Sequence, residues 1–266
     1  METNILKYPR TKHIEGSRLQ KGDEDLKQIP FSVIKNKYIV IEEKVDGANC
    51  AFSFDKEGKL LLQSRGHFLT GGYRERHFNF FKQWATIHKD KFYKVLGSRY
   101  IVYGEWLYAK HSIYYDKLPH YFLEFDIFDR EKQVFLDTNT RHNLLKDLPI
   151  VSVPVLQTGK FNKIEDILKY LNKSNYISDN HIDNLRLESQ RLNLDPDRQV
   201  RETDNSNTME GLYIKVEENG IVVDRMKYVR YSFLQTVEES QTHWLDRPII
   251  PNKLDKNIED LFMEKL

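Results

Sequence analysis

A few short stretches of this chain carry side chains able to do chemistry. In Glu42-Glu43-Lys44-Val45-Asp46-Gly47-Ala48-Asn49, a lysine ends an apolar strand just before an Asp-Gly turn. A lysine ammonium is no nucleophile, but partial burial and neighbouring cations lower its pKa and free the lone pair for covalent catalysis. A strand end also holds such a side chain more firmly than a loop tip does. Taken alone, the same spacing describes an ordinary hairpin with an exposed lysine. Gln63-Ser64-Arg65-Gly66 closes a later strand, and Val102-Tyr103-Gly104-Glu105-Trp106 embeds an acid in an apolar one. An ionised glutamate there is costly unless it meets a metal, a cation, a ligand hydroxyl or a salt-bridge partner. In Phe122-Leu123-Glu124-Phe125-Asp126-Ile127-Phe128, alternate residues face opposite sides of a sheet, so an aromatic could stack a purine or fill the core. Finally, Met209–Lys215 is followed by Asp224–Arg230, in which Arg225 and Lys227 stand two apart. A strand points both to one face, which suits a phosphate clamp or a basic edge.

The elements that must position these groups are largely strands. Tyr38–Glu43, Asn49–Phe54 and Lys59–Ser64 are short, apolar or alternating, and separated by Asp46-Gly47 and Glu57-Gly58, the pattern of an antiparallel meander. Arg76–Leu96 spaces Phe78, Phe81, Trp84 and Phe92 at mostly helical intervals and predicts one amphipathic helix. Tyr100–Trp106, Tyr121–Asp129 and Gln133–Leu136 return to strand character. Lys163–Asn172 reads as a helix, and Ser174–Thr208 as a helix followed by an exposed polar loop. Met209–Val216 and Ile221–Val229 pair around a Glu-Asn-Gly turn. The expected class is an α+β domain of antiparallel sheets.

Composition narrows the function classes. With 15 Tyr, 15 Phe and 3 Trp in 266 residues, the chain can bury a substantial core. One cysteine excludes an internal disulfide framework and points to a reducing, cytoplasmic setting. No apolar run approaches membrane-span length, and the N-terminus lacks a secretory pattern. There is no GxxxxGK[ST], GxGxxG, HExxH or GxSxG motif, and the 9 histidines show no metal-ligand spacing. The net charge of +1 hides local imbalance. Leu60–Tyr100 holds eight basic residues against Glu75 and Asp90, whereas Tyr231–Leu266 has seven acids against four bases. A concentrated basic surface matters more for polyanion binding than the total does.

The ordered set Lys-x-Asp-Gly-x-Asn, Ser-Arg-Gly, Tyr-Gly-Glu, Phe-Asp-Ile, Glu-Gly-x-x-x-Lys and Arg-x-Lys resembles the covalent nucleotidyltransferases. Among these the pattern is most similar to the RNA ligase 2 family, over roughly Tyr8 to Arg230. The resemblance implies an adenylyltransferase (ATP-grasp-like nucleotidyltransferase) domain at 1–235, with a short helical appendage at 236–266. It implies that Lys44 attacks the α-phosphate of ATP to form lysyl-AMP. The AMP then passes to the 5′-phosphate of an RNA, and a 3′-hydroxyl displaces it to seal the strand. Mg2+ or Mn2+ is expected to assist, held mainly by phosphate oxygens and waters, with Glu105 and Glu210 as nearby carboxylates. By the same resemblance Lys44, Glu210, Arg225 and Lys227 are the catalytic set. Glu43, Lys44, Val45, Asp46, Gly47, Asn49, Arg65, Glu105, Phe125, Lys215, Arg225 and Lys227 bind the nucleotide. Within that set Glu43 flanks the nucleophile where main chain reads adenine, Asn49 helps at the phosphate or metal shell, and Arg65 meets ribose and phosphates. Glu105 holds a ribose hydroxyl, Phe125 stacks on the base, Lys215 lies near Glu210, and Arg225 with Lys227 binds the α-phosphate.

Asn49 stands where DNA ligases and capping enzymes carry arginine, and the 36 residues after Arg230 are too few for their OB-fold. Arg225 departs from the lysine common in RNA ligase 2 relatives. The RNA-gripping domain of those relatives also has no room here, so the basic Leu60–Tyr100 region and Arg10, Lys12 and Arg18 are expected to contact RNA. A ligase preferring DNA or RNA:DNA nicks, and a non-catalytic nucleotide- or RNA-binding relative, are the alternatives. A monomer is favoured.

Overall fold

The computed structural model describes residues 4–19, 23, 25–233, 247–257 and 261. One sheet of 11 strands organises them. In chain order these are β1 (Lys12–His13), β2 (Tyr38–Lys44), β3 (Ala48–Phe54), β4 (Leu60–Ser64), β5 (Tyr100–Trp106), β6 (Phe122–Asp129), β7 (Val134–Leu136), β8 (Val151–Ser152), β9 (Val155–Lys160), β10 (Gly211–Glu218) and β11 (Ile221–Val229). The path across the sheet runs β4-β3-β5-β6-β7-β11-β10-β2-β9, with antiparallel neighbours throughout. Two short strands join off that path in parallel, β1 on β11 and β8 on β6. The α+β architecture of antiparallel sheets expected from the sequence is the one observed.

Period-2 alternation divides the work of β2, β10 and β11. Gly211 pairs with Lys44 and Val229, Tyr213 with Glu42 and Lys227, and Lys215 with Val40 and Arg225. All of these face one side of the sheet. The intervening Ile39, Ile41, Leu212, Ile214, Val216 and Met226 face the other and form a core with Ile14, Phe31 and Ile167. The larger core lies under the other half of the sheet, where Phe52 and Phe122 meet Phe81, Trp84 and Phe92.

The aromatic ridge at 76–96 is not one helix. It comprises a 3-10 turn at Tyr73–Phe78, α1 (Asn79–Ile87) and α2 (Lys89–Leu96). The break falls at His88, whose buried ring Nε2 lies 2.9 Å from the carbonyl oxygen of Leu261. Aromatic spacing continues across the break because both helices press on the same core.

Four further α-helices lie among the described residues: α3 (Thr138–Leu145), α4 (Ile164–Leu168), α5 (His181–Arg191) and α6 (Pro196–Arg201). The helix expected over Lys163–Asn172 is therefore shorter, and the polar stretch after Ser174 holds two helices, the second capped by Asp195. Of the 236–266 appendage, residues 247–257 and Leu261 are described. There the chain bridges Ala109 with Pro251 and Leu118 with Leu254, and buried Asn252 bonds the backbone of Tyr115 and Leu107. The rest of the helical appendage expected at 236–266 lies outside the described residues. Among the described residues no helix is long and apolar enough to cross a membrane.

Candidate active site

Most of the predicted site residues converge. Glu43, Lys44, Val45, Asp46, Gly47, Asn49, Arg65, Glu105, Phe125, Glu210 and Lys227 all line one cavity of about 1200 Å3. The sheet register explains the convergence: Asn49 pairs with Glu105 across β3 and β5, and Lys44 pairs with Gly211, directly after Glu210.

Lys44 Nζ donates to Glu210 Oε1 at 2.7 Å, and Glu210 is 2% exposed. Burial pulls the Lys44 pKa down, yet the carboxylates of Glu210, Glu105 and Asp46 outweigh it and the pKa is raised. This corrects the expectation of a lowered pKa. The charges nearest Lys44 are acids, so the site holds it protonated. Burial in turn pushes Glu105 up to about 8, against the pull of Lys44. Lys227 is lowered by burial and then by Lys44, although it is paired with Asp23 at 2.5 Å.

Hydrogen bonds pin the turn after Lys44. Asp46 Oδ2 accepts the backbone N–H of Ser112 (2.7 Å) and Ile113 (2.8 Å), while the Tyr115 hydroxyl accepts from the Asp46 N–H at 2.8 Å. Asp46 thus anchors a loop while lining the cavity. Gly47 donates its N–H to Glu105 Oε1 at 3.2 Å, and a Cβ there would sit 2.7 Å from the Trp106 carbonyl oxygen. No larger residue fits this turn. Val45 is core. Glu43 points to the opposite side of β2 from Lys44, where its carboxyl accepts from Ser174 Oγ and is pushed by burial up to about 7. The Glu43 backbone N–H is donated to the Pro154 carbonyl at 3.1 Å. Phe125 is half-buried in an aromatic floor, 5.0 Å edge-on from Tyr8 and 6.3 Å from Tyr213.

Two predicted residues are not brought to the cavity. Lys215 is completely buried, with Nζ 2.9 Å from Glu42 Oε2 and bonded to the Phe125 carbonyl. Arg225 pairs with Asp126 at 3.3 Å and lies over the rings of Phe135 (4.0 Å) and Tyr8 (5.2 Å). Both share the sheet face of Lys44 and Lys227 but sit deeper along the strands, beneath the aromatic floor. There they belong to a buried charge network of Glu42, Glu124, Asp126 and Arg141.

Sequence reasoning missed Arg141, Tyr8, Tyr213 and Asp23. Arg141 is wholly buried on α3 and reaches Glu42 Oε1 and Glu124 Oε1, each at 2.6 Å. Its signal was available in the unpaired acids Glu42 and Glu124, which demand a buried cation. The expected RNA-contacting bases also divide. Arg10 pairs with Asp23 and Asp25, Lys82 with Glu75, and Arg99 with Asp129. Arg65 and Arg74 line the cavity, joined there by Arg247.

No three His, Cys, Asp or Glu side chains among the described residues form a metal cage. Glu105 and Glu210 nevertheless bring two carboxylates to Lys44. That donor set fits a hard divalent cation whose remaining ligands come from phosphate and water.

The architecture is the nucleotidyltransferase fold found in RNA ligases. Two mutants of the Naegleria gruberi RNA ligase, each solved with ATP and Mn, superpose with a TM-score of 0.53 at 17% identity. The first alignment covers 89% of this chain and 59% of that chain, the second 87% and 58%. The same ligase with PPi gives 0.52 and 18%, over 89% and 59%. This chain therefore spans less than two thirds of those structures. No match is found among curated proteins. The RNA ligase family model matches residues 37–229, and the chain belongs to that family.

Proposed function

We propose that the protein is an ATP-dependent RNA ligase that works through lysyl-AMP. The observation that carries the reading is Lys44, held by Glu210 at 2.7 Å on the wall of a cavity that also presents Phe125 and Lys227. In the first step the Lys44 amine attacks the α-phosphorus, forming a P–N bond as the P–O bond to pyrophosphate breaks. The 5′-phosphate of an RNA then attacks the same phosphorus, releasing the lysine. A 3′-hydroxyl finally attacks the activated 5′-phosphate and AMP departs.

The chain's contribution is alignment and charge. Lys227 faces the phosphates, Phe125 stacks on the adenine, and Glu105 and Arg65 hold ribose and phosphate oxygens. Asn49, opposite Glu105, completes that wall. Glu105 and Glu210 would hold a divalent cation, which would supply positive charge against the triphosphate and against the carboxylates that keep Lys44 protonated. Lys215 and Arg225 support this wall from below.

The test is incubation with labelled ATP, GTP or NAD and magnesium. A covalent AMP adduct lost in Lys44→Ala supports the mechanism, and absence of any adduct sinks it. Sealing assays on nicked RNA, RNA:DNA and DNA duplexes and on single strands then assign the polynucleotide.

A further inference from the structure

The loop after β4 carries the sequence Arg65 to Arg76, and its charges are sorted by direction. Glu75 turns inward and is 6% exposed. Its two carboxylate oxygens accept the backbone N–H groups of Thr70 (3.0 Å) and Gly71 (2.8 Å), and it pairs with Lys82. The loop's single acid is therefore spent on the fold, Arg65 and Arg74 remain on the outside, and Arg76 is half-buried. Arg65 and Arg74 are exposed on the wall of the cavity that holds Lys44.

Between them the loop displays an aromatic ring. Tyr73 is 78% exposed, and the Arg76 guanidinium lies over its ring at 4.6 Å. The preceding glycines, at φ 123° for Gly71 and 118° for Gly72, adopt backbone that side chains disfavour. They set the ring outward at the start of the 3-10 turn. Arg76 also donates to the Arg247 carbonyl at 3.4 Å, which ties the loop to the tail segment lining the same cavity. An open tyrosine face beside outward arginines, continuous with the nucleotide cavity, matches the chemistry of a nucleic-acid strand. Bases offer flat faces for stacking, and each phosphate offers a charge for an arginine.

We infer that this loop is the docking surface for the RNA strand: a base stacks on Tyr73, and neighbouring phosphates lie against Arg74 and Arg76. The inference rests on the ligase reading, because it places the strand beside Lys44. It goes further in naming an aromatic platform outside the nucleotidyl-transfer residues.

The experiment measures binding of a 5′-phosphorylated single-stranded RNA to the full chain, and AMP transfer to that RNA from protein already carrying the adduct. Tyr73→Ala should weaken binding roughly 5- to 100-fold, while Tyr73→Phe, which keeps the stacking face, should bind as wild type. Arg74→Ala should flatten the dependence of log affinity on log salt by about 0.7 per lost phosphate contact. Lys132→Ala, exposed in the turn between β6 and β7, should change neither. If the adduct forms but Tyr73→Ala binds RNA like wild type, or Tyr73→Phe is as weak as Tyr73→Ala, the platform is refuted. If wild type forms no adduct, it is the ligase reading that fails.

Discussion

Replacing Arg141 by methionine removes the guanidinium that joins β2 to β6. Its two contacts, at 2.6 Å each to Glu42 and Glu124, lie among side chains with no exposed surface. Breaking a buried ion pair by deleting one partner costs about 3–5 kcal/mol, because a charge is left in low dielectric. Two compensations place this case near the lower end. Glu42 keeps Lys215 at 2.9 Å, and Glu124 keeps the Ser152 hydroxyl at 2.6 Å. A loss of about 3 kcal/mol is expected, a sizeable part of the roughly 5–15 kcal/mol that holds a domain together. At about 2–4 °C per kcal/mol the midpoint of thermal unfolding should fall by roughly 6–12 °C. The assay is thermal and urea unfolding at neutral pH of wild type, Arg141→Met, Glu124→Gln and the double variant. Neutralising Glu124 removes one stranded charge, so the double variant should be at least about 1 kcal/mol more stable than additivity allows. A loss below about 1 kcal/mol, or strict additivity, would refute the argument. Glu42 stands two residues before Lys44 and Glu124 immediately before Phe125, so this network sets the spacing between Lys44 and Phe125.

Two pH predictions follow from the carboxyl groups. The Lys44 amine must lose its proton to attack, and although burial pulls its pKa down, Glu210, Glu105 and Asp46 raise it. Single-turnover adduct formation should therefore rise with pH through neutrality, and Glu210→Gln should move that rise to lower pH whatever its amplitude. An unmoved midpoint would count against the electrostatic account. Burial pushes Glu43 from 4.5 up to about 7, so the folded state binds the extra proton between those values. Stability contributed by this group is present at low pH and lost as pH rises through that window. Urea midpoints should show Glu43→Gln more stable than wild type at pH 8, with the gain vanishing near pH 4.

The strands that carry the site were legible because each has a simple pattern. β2 alternates Ile39 and Ile41 with Val40 and Glu42, and β10 and β11 flank an evident Glu-Asn-Gly turn. Most of the candidate cavity residues followed from the ordered motifs. α3 was not legible, because it buries Thr138 and Arg141 beside Leu145, and a helix whose inward face carries a charge and a hydroxyl gives no apolar stripe. β8 and β9 were hidden in a Pro-interrupted run that depends on β6 and β2 for its pairing. Lys215 and Arg225 illustrate a different limit. Alternation correctly gave their side of the sheet, but depth along a strand depends on what covers it. Tyr8, supplied by a distant N-terminal segment, hydrogen-bonds Asp126 at 2.8 Å and roofs Arg225.

The raised pKa of Lys44 also constrains how the site can be switched on. Glu210, Glu105 and Asp46 surround the amine with acid, and Lys227, the cation able to oppose them, is itself paired to Asp23. A triphosphate entering alone would add negative charge and hold the proton on Lys44 more tightly still. Nucleotide binding and nucleophile activation therefore oppose each other unless positive charge arrives with the phosphates. The two carboxylates nearest the amine are the groups able to receive it. On the proposed mechanism, the acids that raise the Lys44 pKa are thus the same groups that would let a cation-bound nucleotide activate it, which would tie deprotonation to nucleotide binding.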